Sequence, residues 1–186
     1  MTYDIFISYK RRDTSSAIAA LVYNYLSQKG YKVFFDRKEI RQGRFNEQLY
    51  NHIEAAKDII ILLEETSLRA CFSEITDAYK TDWFCKEVMH ALELERDKHI
   101  IPILLGGYQM PDSDQLPEEL KLLPLQNAIS LDASEMDEVF QKYFISQGYL
   151  QSKPQEKIPG TNISIENGEG ISDFLFYTTN DCDIYE

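Results

Sequence analysis

An indole and a carboxylate four residues apart have the chemical groups and the spacing to act on a cationic ring. Trp83 and Glu87 lie in the segment Trp83–Arg96, whose apolar periodicity predicts a helix. Residues four apart are neighbours on one helix face, so the indole and the carboxylate are expected side by side. A carboxylate beside an indole suits a ligand with positive charge on a ring. Glu87 is therefore a candidate catalytic group, expected as a partly exposed helix carboxylate.

A second candidate for ligand binding is the basic cluster Lys10–Arg12, which follows an apolar run at the start of the chain. The chain as a whole is acidic, with 31 acidic and 19 basic residues and a net charge of −12. Such a chain repels phosphate backbones and anionic lipid surfaces, so neither nucleic acid nor a membrane is expected as a partner. A local basic cluster can still bind a small anionic ligand.

Strand-length apolar runs alternate with helix-period segments over residues 1–148. The predicted strands are Tyr3–Ser8, Lys32–Phe35, Asp58–Leu63, Ile100–Leu104 and Ala128–Leu131, and helices are predicted at Ser15–Gly30, Phe45–Ala56, Trp83–Arg96, Leu116–Leu123 and Glu135–Gln147. This alternation predicts a parallel sheet with helices on both faces. Ligands of such folds bind on the loops after the carboxyl ends of the strands, here residues 9–14, 36–44 and 64–82.

The pattern breaks after residue 148, and residues 149–186 are predicted to be a linker-like tail. Gln151–Gly170 is rich in Ser, Pro, Gly, Asn and Glu, and Phe174–Tyr177 is expected either to add a short strand or to dock onto the domain. The chain start lacks the order of a secretory signal. The three cysteines are odd in number and lack metal-type spacing, so a cytoplasmic location is expected.

Three motifs in order resemble those of TIR (Toll/interleukin-1 receptor) domains. Tyr3–Tyr9 (Tyr-Asp-Ile-Phe-Ile-Ser-Tyr) resembles the first family box, and Phe34–Gly43 resembles the BB loop. Trp83 and Glu87 have the Trp-x-x-x-Glu spacing of the family members that cleave NAD⁺. The resemblance covers residues 1–148 and implies a flavodoxin-like three-layer fold, with a five-stranded parallel sheet in the order 2-1-3-4-5.

The resemblance also implies an activity, cleavage of the nicotinamide–ribose bond of NAD⁺. The matching positions are Glu87 as the catalytic residue, with Tyr9, Lys10, Arg11, Asp36, Phe45, Trp83 and Asn127 at the substrate. In this interpretation Glu87 holds the ribose hydroxyls and stabilises the positive charge that nicotinamide leaves behind. Lys10 and Arg11 neutralise the pyrophosphate, while Trp83 and Phe45 flank the rings. NAD⁺ is the substrate, and no cofactor or metal is implied.

Product and partners follow from the same resemblance. The chain resembles stand-alone bacterial TIR proteins of the Thoeris type, which implies an NAD⁺ hydrolase or cyclase in antiphage defence. Its ADP-ribose-derived product is then a diffusible messenger that reaches a separate effector protein. Self-association through TIR–TIR contacts is also implied, because stacking closes the pocket of a neighbour in this family.

Each site residue also has a structural interpretation. Glu87 and Lys10–Arg12 are alternatively solvated surface charges, Trp83 and Phe45 core anchors, and Asp36 and Asn127 turn residues. The three histidines are scattered without ligand partners and are interpreted as structural. The alternatives to an enzyme are a non-enzymatic TIR adaptor and a host-mimicking effector, both acting through TIR–TIR contacts.

Overall fold

The computed structural model describes residues 3–11, 13–35, 45–72 and 78–145. Residues 36–43 of the predicted BB loop, which include Asp36, and the predicted tail at residues 149–186 lie outside the described residues. Phe45 is described as the first residue of a helix, but its side chain lies outside the description.

Five parallel strands of the described chain form a sheet in the order 2-1-3-4-5, which confirms the predicted fold class. They are β1 (Ile5–Tyr9), β2 (Val33–Phe34), β3 (Asp58–Leu63), β4 (His99–Leu105) and β5 (Ile129–Leu131). Tyr9 is paired with Leu62, so β1 and β3 end at the same edge of the sheet. All six residues of β3 are buried, as expected for a strand that is covered on both faces.

Helices cover both faces of the sheet. They are α1 (Asp13–Gln28), α2 (Phe45–Ala55), α3 (Ala78–Thr81), α4 (Trp83–Glu93) and α5 (Met136–Val139). Successive residues of β3 point to opposite faces. Ile60 packs in one apolar core with Val22 of α1, whereas Ile61 packs in a second core with Leu49 of α2 and Val88 of α4. The sheet is therefore the middle of three layers.

Local signals set the ends of two helices. Gly30 follows α1 with φ +86°, a conformation that glycine adopts without a steric penalty, and the nearby Tyr31 N donates to Leu26 O at 3.1 Å. Asp82 precedes α4, and its carboxylate accepts a hydrogen bond from the Cys85 amide at 3.1 Å. This N-cap satisfies one of the amides that a helix start leaves without a partner.

Two predicted helices differ from the structure. Leu116–Leu123 is not an α-helix, because this region forms 3-10 turns at Glu118–Leu120 and Leu123–Leu125. Pro117 and Pro124 explain the difference, since proline lacks an amide donor and disfavours helical geometry at the preceding residue. The described part of the predicted last helix consists of a 3-10 turn, α5 and a π-helical turn. Within the described ranges, no helix is both long and apolar enough to cross a bilayer.

Candidate active site

The candidate site lies where β1 ends and α4 begins. Ser8 is near the carboxyl end of β1, and its hydroxyl donates a 2.7 Å hydrogen bond to Oε2 of Glu87. Both residues are 2% exposed, so the contact is buried. Glu87 therefore lies at the carboxyl edge of the sheet, where ligands of open parallel sheets bind.

The burial of Glu87 corrects the expectation that it is a partly exposed helix carboxylate. Phe84, Val88 and Ala91 are also buried, so Glu87 occupies the stripe of α4 that packs against the sheet. A buried carboxylate is costly unless polar groups compensate it. The Ser8 hydroxyl supplies part of that compensation, and it fixes the carboxylate toward β1.

A small cavity adjoins the Glu87 carboxylate. Its volume is about 10 Å³, and Tyr9, Arg11 and Phe35 line it together with Glu87 and buried residues of β1 and β2. That volume is enough for about one water molecule. A larger ligand therefore requires its walls to move apart, and the wall includes the exposed Arg11. The arrangement combines a buried carboxyl group, a guanidinium and aromatic rings at one cavity.

Three aromatic rings stack in a row next to this cavity. Phe35 stacks on Tyr9 with centroids 5.5 Å apart and on Tyr23 with centroids 5.1 Å apart. Ring pairs at these separations stabilise each other beyond the area that they bury. The row holds Tyr9, a predicted substrate contact, against β2 and α1.

Trp83 lies at the first position of α4, half-buried against the core that contains Val88. The Lys86 ammonium lies 4.6 Å from the centroid of its ring. Among the described residues, those that line the Glu87 cavity do not include Trp83. The aromatic residues that line this cavity are instead Phe6, Tyr9, Phe34 and Phe35.

Lys10 forms an ion pair with Asp82, the N-cap of α4. Burial raises the pKa of the Asp82 carboxyl, but hydrogen bonds from Lys10 and from the Cys85 amide outweigh that effect, so the pKa lies below its usual value. The pair ties the segment after β1 to the start of α4. Lys10 thus already has a carboxylate partner, whereas Arg11 lies at the cavity itself.

Asn127 lies at the opposite, amino edge of the sheet. It precedes β5 and lines a hollow of about 450 Å³ together with Lys98, His99 and Gln126. Because all five strands are parallel, this edge is the far end from Ser8 and Glu87. The structure therefore brings Tyr9 and Arg11 to the carboxylate and Lys10 to the start of its helix, but it does not bring Asn127 there.

Three residues of the site were not among those predicted from the sequence. Ser8 hydrogen-bonds the carboxylate, Phe35 stacks on Tyr9, and Asp82 caps α4 and binds Lys10. Asp82 carries a recognisable signal, since an Asp immediately before an apolar-periodic run is typical of an N-cap. Ser8 is the polar residue of an otherwise largely apolar strand, which also indicates a candidate site residue. Within the described ranges, no cluster of His, Cys, Asp or Glu could hold a metal ion.

Comparisons with known proteins agree with this architecture. A family model described as the TIR domain matches residues 5–142. NAD(+) hydrolase SARM1 of Danio rerio is 30% identical over 156 residues, which cover 84% of this chain and 20% of the relative. NAD(+) hydrolase tir-1 of Caenorhabditis elegans is 35% identical over 127 residues, which cover 68% of this chain and 12% of the relative. The chain thus spans a minor part of either relative.

Solved structures show the same fold. A metazoan TIR-STING receptor from C. gigas superposes with a TM-score of 0.52 at 21% identity, covering 75% of this chain and 38% of the receptor. A prokaryotic SEFIR domain gives a TM-score of 0.52 at 19% identity, covering 86% and 99%. With the family model matching most of the chain, from the first strand to the π-helical turn, the protein belongs to the TIR domain family.

Proposed function

We propose that this TIR domain cleaves NAD⁺ at the nicotinamide–ribose bond, with Glu87 as the catalytic residue. The observation that carries the proposal is a buried carboxyl group, 2% exposed, at the ligand-binding edge of the sheet, where it lines a cavity together with Arg11 and four aromatic residues. The relatives named NAD(+) hydrolase support the same reaction, because their matching segments span 84% and 68% of this chain.

The reaction needs stabilisation of positive charge more than proton transfer. Nicotinamide leaves NAD⁺ as a neutral molecule, so the departing group requires no proton, and the sugar ring acquires oxocarbenium character. Carboxylates stabilise such a transition state in glycoside cleavage. Glu87 serves this purpose well, because its burial strengthens the interaction and the Ser8 hydrogen bond fixes its position.

The other residues at the cavity are assigned by their chemistry. Arg11 lines the cavity and is expected to bind the pyrophosphate, since a guanidinium forms forked hydrogen bonds with phosphate oxygens. Tyr9 is expected to contact the nicotinamide or the adenine, and Phe35 holds the Tyr9 ring by stacking on it. Ser8 acts as a positioning residue through Glu87, and the Lys10–Asp82 pair positions the start of α4.

The product and its role belong to the same proposal. An ADP-ribose-derived product, hydrolysed or cyclised, is expected to act as a diffusible messenger to a separate effector in bacterial antiphage defence. Self-association is expected to complete the pocket, because the cavity of the described residues is far smaller than NAD⁺. The resemblance of the sequence motifs to NAD-cleaving TIR proteins supports this part.

The test is incubation with NAD⁺ and mass spectrometry of the products over a range of protein concentrations. Wild type is compared with Glu87→Gln and with Glu93→Gln, a matched control on the exposed side of the same helix. Nicotinamide release by wild type and the control, but not by Glu87→Gln, supports the proposal. Intact NAD⁺ at concentrations where the chain self-associates would favour the non-enzymatic adaptor instead.

A further inference from the structure

Two thiols touch at the start of α4. Cys71 lies on the 3-10 helix Arg69–Phe72 and Cys85 is the third residue of α4, and their Sγ atoms are 3.7 Å apart. Both are free thiols. A disulfide requires an S–S distance of about 2.05 Å, so the sulfur atoms must approach by a further ~1.7 Å. Thiols already in contact can close this gap with small side-chain and backbone shifts.

The two thiols differ in chemical character. Cys85 is fully buried, whereas Cys71 is partly exposed. A hydrogen bond from the Cys85 thiol lowers the pKa of Cys71, and the Lys10 ammonium acts in the same direction against burial and the Asp82 carboxylate. That shared hydrogen bond and burial raise the pKa of Cys85. Solvent reaches Cys71 but not Cys85, so Cys71 is the thiol that an external oxidant meets first.

We propose that Cys71 and Cys85 form an oxidation site for peroxides, with Cys71 as the reacting thiol and Cys85 as the resolving thiol. The Cys71 thiolate attacks one peroxide oxygen, the O–O bond breaks, and Cys71 becomes a sulfenic acid as water leaves. The Cys85 sulfur then attacks the Cys71 sulfur, the S–O bond breaks, and a second water leaves. Two thiols lose two electrons in total, and one hydrogen peroxide is reduced to two waters.

The position of the pair gives the cross-link a structural consequence. Cys85 lies two residues before Glu87, and its amide bonds the Asp82 carboxylate that also holds Lys10. A bridge between residues 71 and 85 joins the 3-10 helix to the first turn of α4. Oxidation is therefore expected to shift the helix start that positions Glu87. An effect on NAD⁺ cleavage rests on the proposed function, whereas the thiol chemistry does not.

The test is peroxide oxidation of the full chain in a Cys182→Ser background, followed by differential alkylation and peptide mapping without reductant. Cys182 lies outside the described residues, and its removal leaves two thiols. We expect both thiols to disappear together in monomeric chains, with a linked Cys71–Cys85 peptide that dithiothreitol reverses. Cys71 should also be alkylated about tenfold faster than Cys85, because Cys71 is partly exposed and Cys85 is buried.

Single variants separate the two steps. In Cys85→Ser and Cys85→Ala, the latter included in case the buried hydroxyl disturbs folding, Cys71 should stop at a sulfenic acid that dimedone traps. In Cys71→Ser the Cys85 thiol should stay reduced. Over-oxidation of Cys71 in the two-cysteine chain while Cys85 stays free would overturn the proposal, as would cross-links only between chains. These readouts are independent of NAD⁺ turnover, so failure of the proposed function leaves them decisive.

Discussion

The two edges of the sheet each hold a buried carboxylate, and the two are satisfied differently. At the amino edge Asp58, 7% exposed, lies beside His99 on the neighbouring strand, whose Nδ1 is 2.9 Å from Oδ1 of Asp58. Burial raises the pKa of Asp58, and the hydrogen bond and charge of His99 oppose that shift. At the carboxyl edge Glu87 accepts a hydrogen bond from the neutral hydroxyl of Ser8 and faces a cavity with Arg11.

The two edges of the sheet also differ in the volume of their cavities. The hollow at the amino edge measures about 450 Å³, within the size range of small-molecule sites, whereas the cavity at Glu87 measures about 10 Å³. Size alone would favour the amino edge as a binding site. The proposed site is at the carboxyl edge instead, because Glu87 lines a cavity at the edge where ligands of open parallel sheets bind.

Replacing each carboxylate with its amide is expected to produce the largest difference in NAD⁺ cleavage between the two edges. Glu87→Gln is expected to lower NAD⁺ cleavage about 100-fold or more, because the neutral amide no longer stabilises the oxocarbenium charge. Asp58→Asn should stay within about twofold of wild type, since it lies at the far edge of the sheet. Nicotinamide release measured under saturating NAD⁺ compares the two variants.

The melting temperatures of both variants control for folding. The side-chain amide introduced by Glu87→Gln retains an acceptor oxygen for the Ser8 hydroxyl, so a shift below about 4 °C is expected. The raised pKa of Asp58 favours its neutral form in the folded state, which means that its charge above the raised pKa opposes folding. Asp58→Asn should therefore not lower the melting temperature at neutral pH. Equal activity losses in the two variants would remove the distinction between the edges.

Ser8 provides the second test, because its hydroxyl acts on substrate only through Glu87. Ser8→Ala is expected to lower kcat about tenfold with a smaller change in KM, since a hydrogen bond to a charged group contributes about 1.5–3 kcal/mol. Ser130→Ala, at an exposed serine on β5, is the matched control. Steady-state kinetics with varied NAD⁺ separates the two constants.

A double variant shows whether the two side chains act as a unit. In a Glu87→Gln background, the Ser8→Ala change should alter the residual rate less than about twofold, because the carboxylate that it positions is gone. A full tenfold loss in both backgrounds would mean that Ser8 acts independently of Glu87.

The layers of the fold could be predicted from sequence, because a strand that is buried on both faces is apolar along its whole length. Asp58–Leu63 is aliphatic from Ile59 onward, and the strand is buried on both faces as that pattern indicates. Leu116–Leu123 shows the limit of periodicity, since its leucines have helical spacing but the region forms short 3-10 turns beside Pro117 and Pro124.

The interior of the site could not be predicted in the same way. A glutamate in a helix is assigned by default to the solvated face, and its burial here depends on how α4 packs against β1. That packing brings Ser8 to Glu87 across 79 residues of sequence, a separation that local patterns do not encode. Likewise, the pairing of Lys10 with Asp82 spans 72 residues.

The Lys10–Asp82 pair predicts a pH dependence of stability at the carboxyl edge. The folded pKa of Asp82 lies below its usual value of 3.8, so its charge contributes stability above that pH, and the contribution is lost as pH falls through the lowered pKa. Asp82→Asn keeps a good N-cap and removes the charge. Its deficit in unfolding free energy relative to wild type should therefore be present at neutral pH and shrink below pH 3.8.

Asp82→Ala separates the cap from the charge. It should cost about 1 kcal/mol more than Asp82→Asn, because the Cys85 amide loses its acceptor. Urea titrations of both variants between neutral and acidic pH measure these differences. A pH-independent deficit for Asp82→Asn would show that the ion pair contributes no charge-dependent stability.

The smallest expected effect belongs to Asn127, and it decides whether the amino edge takes part in catalysis. Asn127 is exposed at the hollow beside Gln126, at the far end of the strands from Glu87. Asn127→Ala is therefore expected to keep nicotinamide release within about twofold of wild type and to change stability by less than about 0.5 kcal/mol. A loss of tenfold or more in dilute, monomeric protein would place part of the substrate at the amino edge. A loss seen only at concentrations where chains associate would instead mean that Asn127 acts through a neighbouring chain.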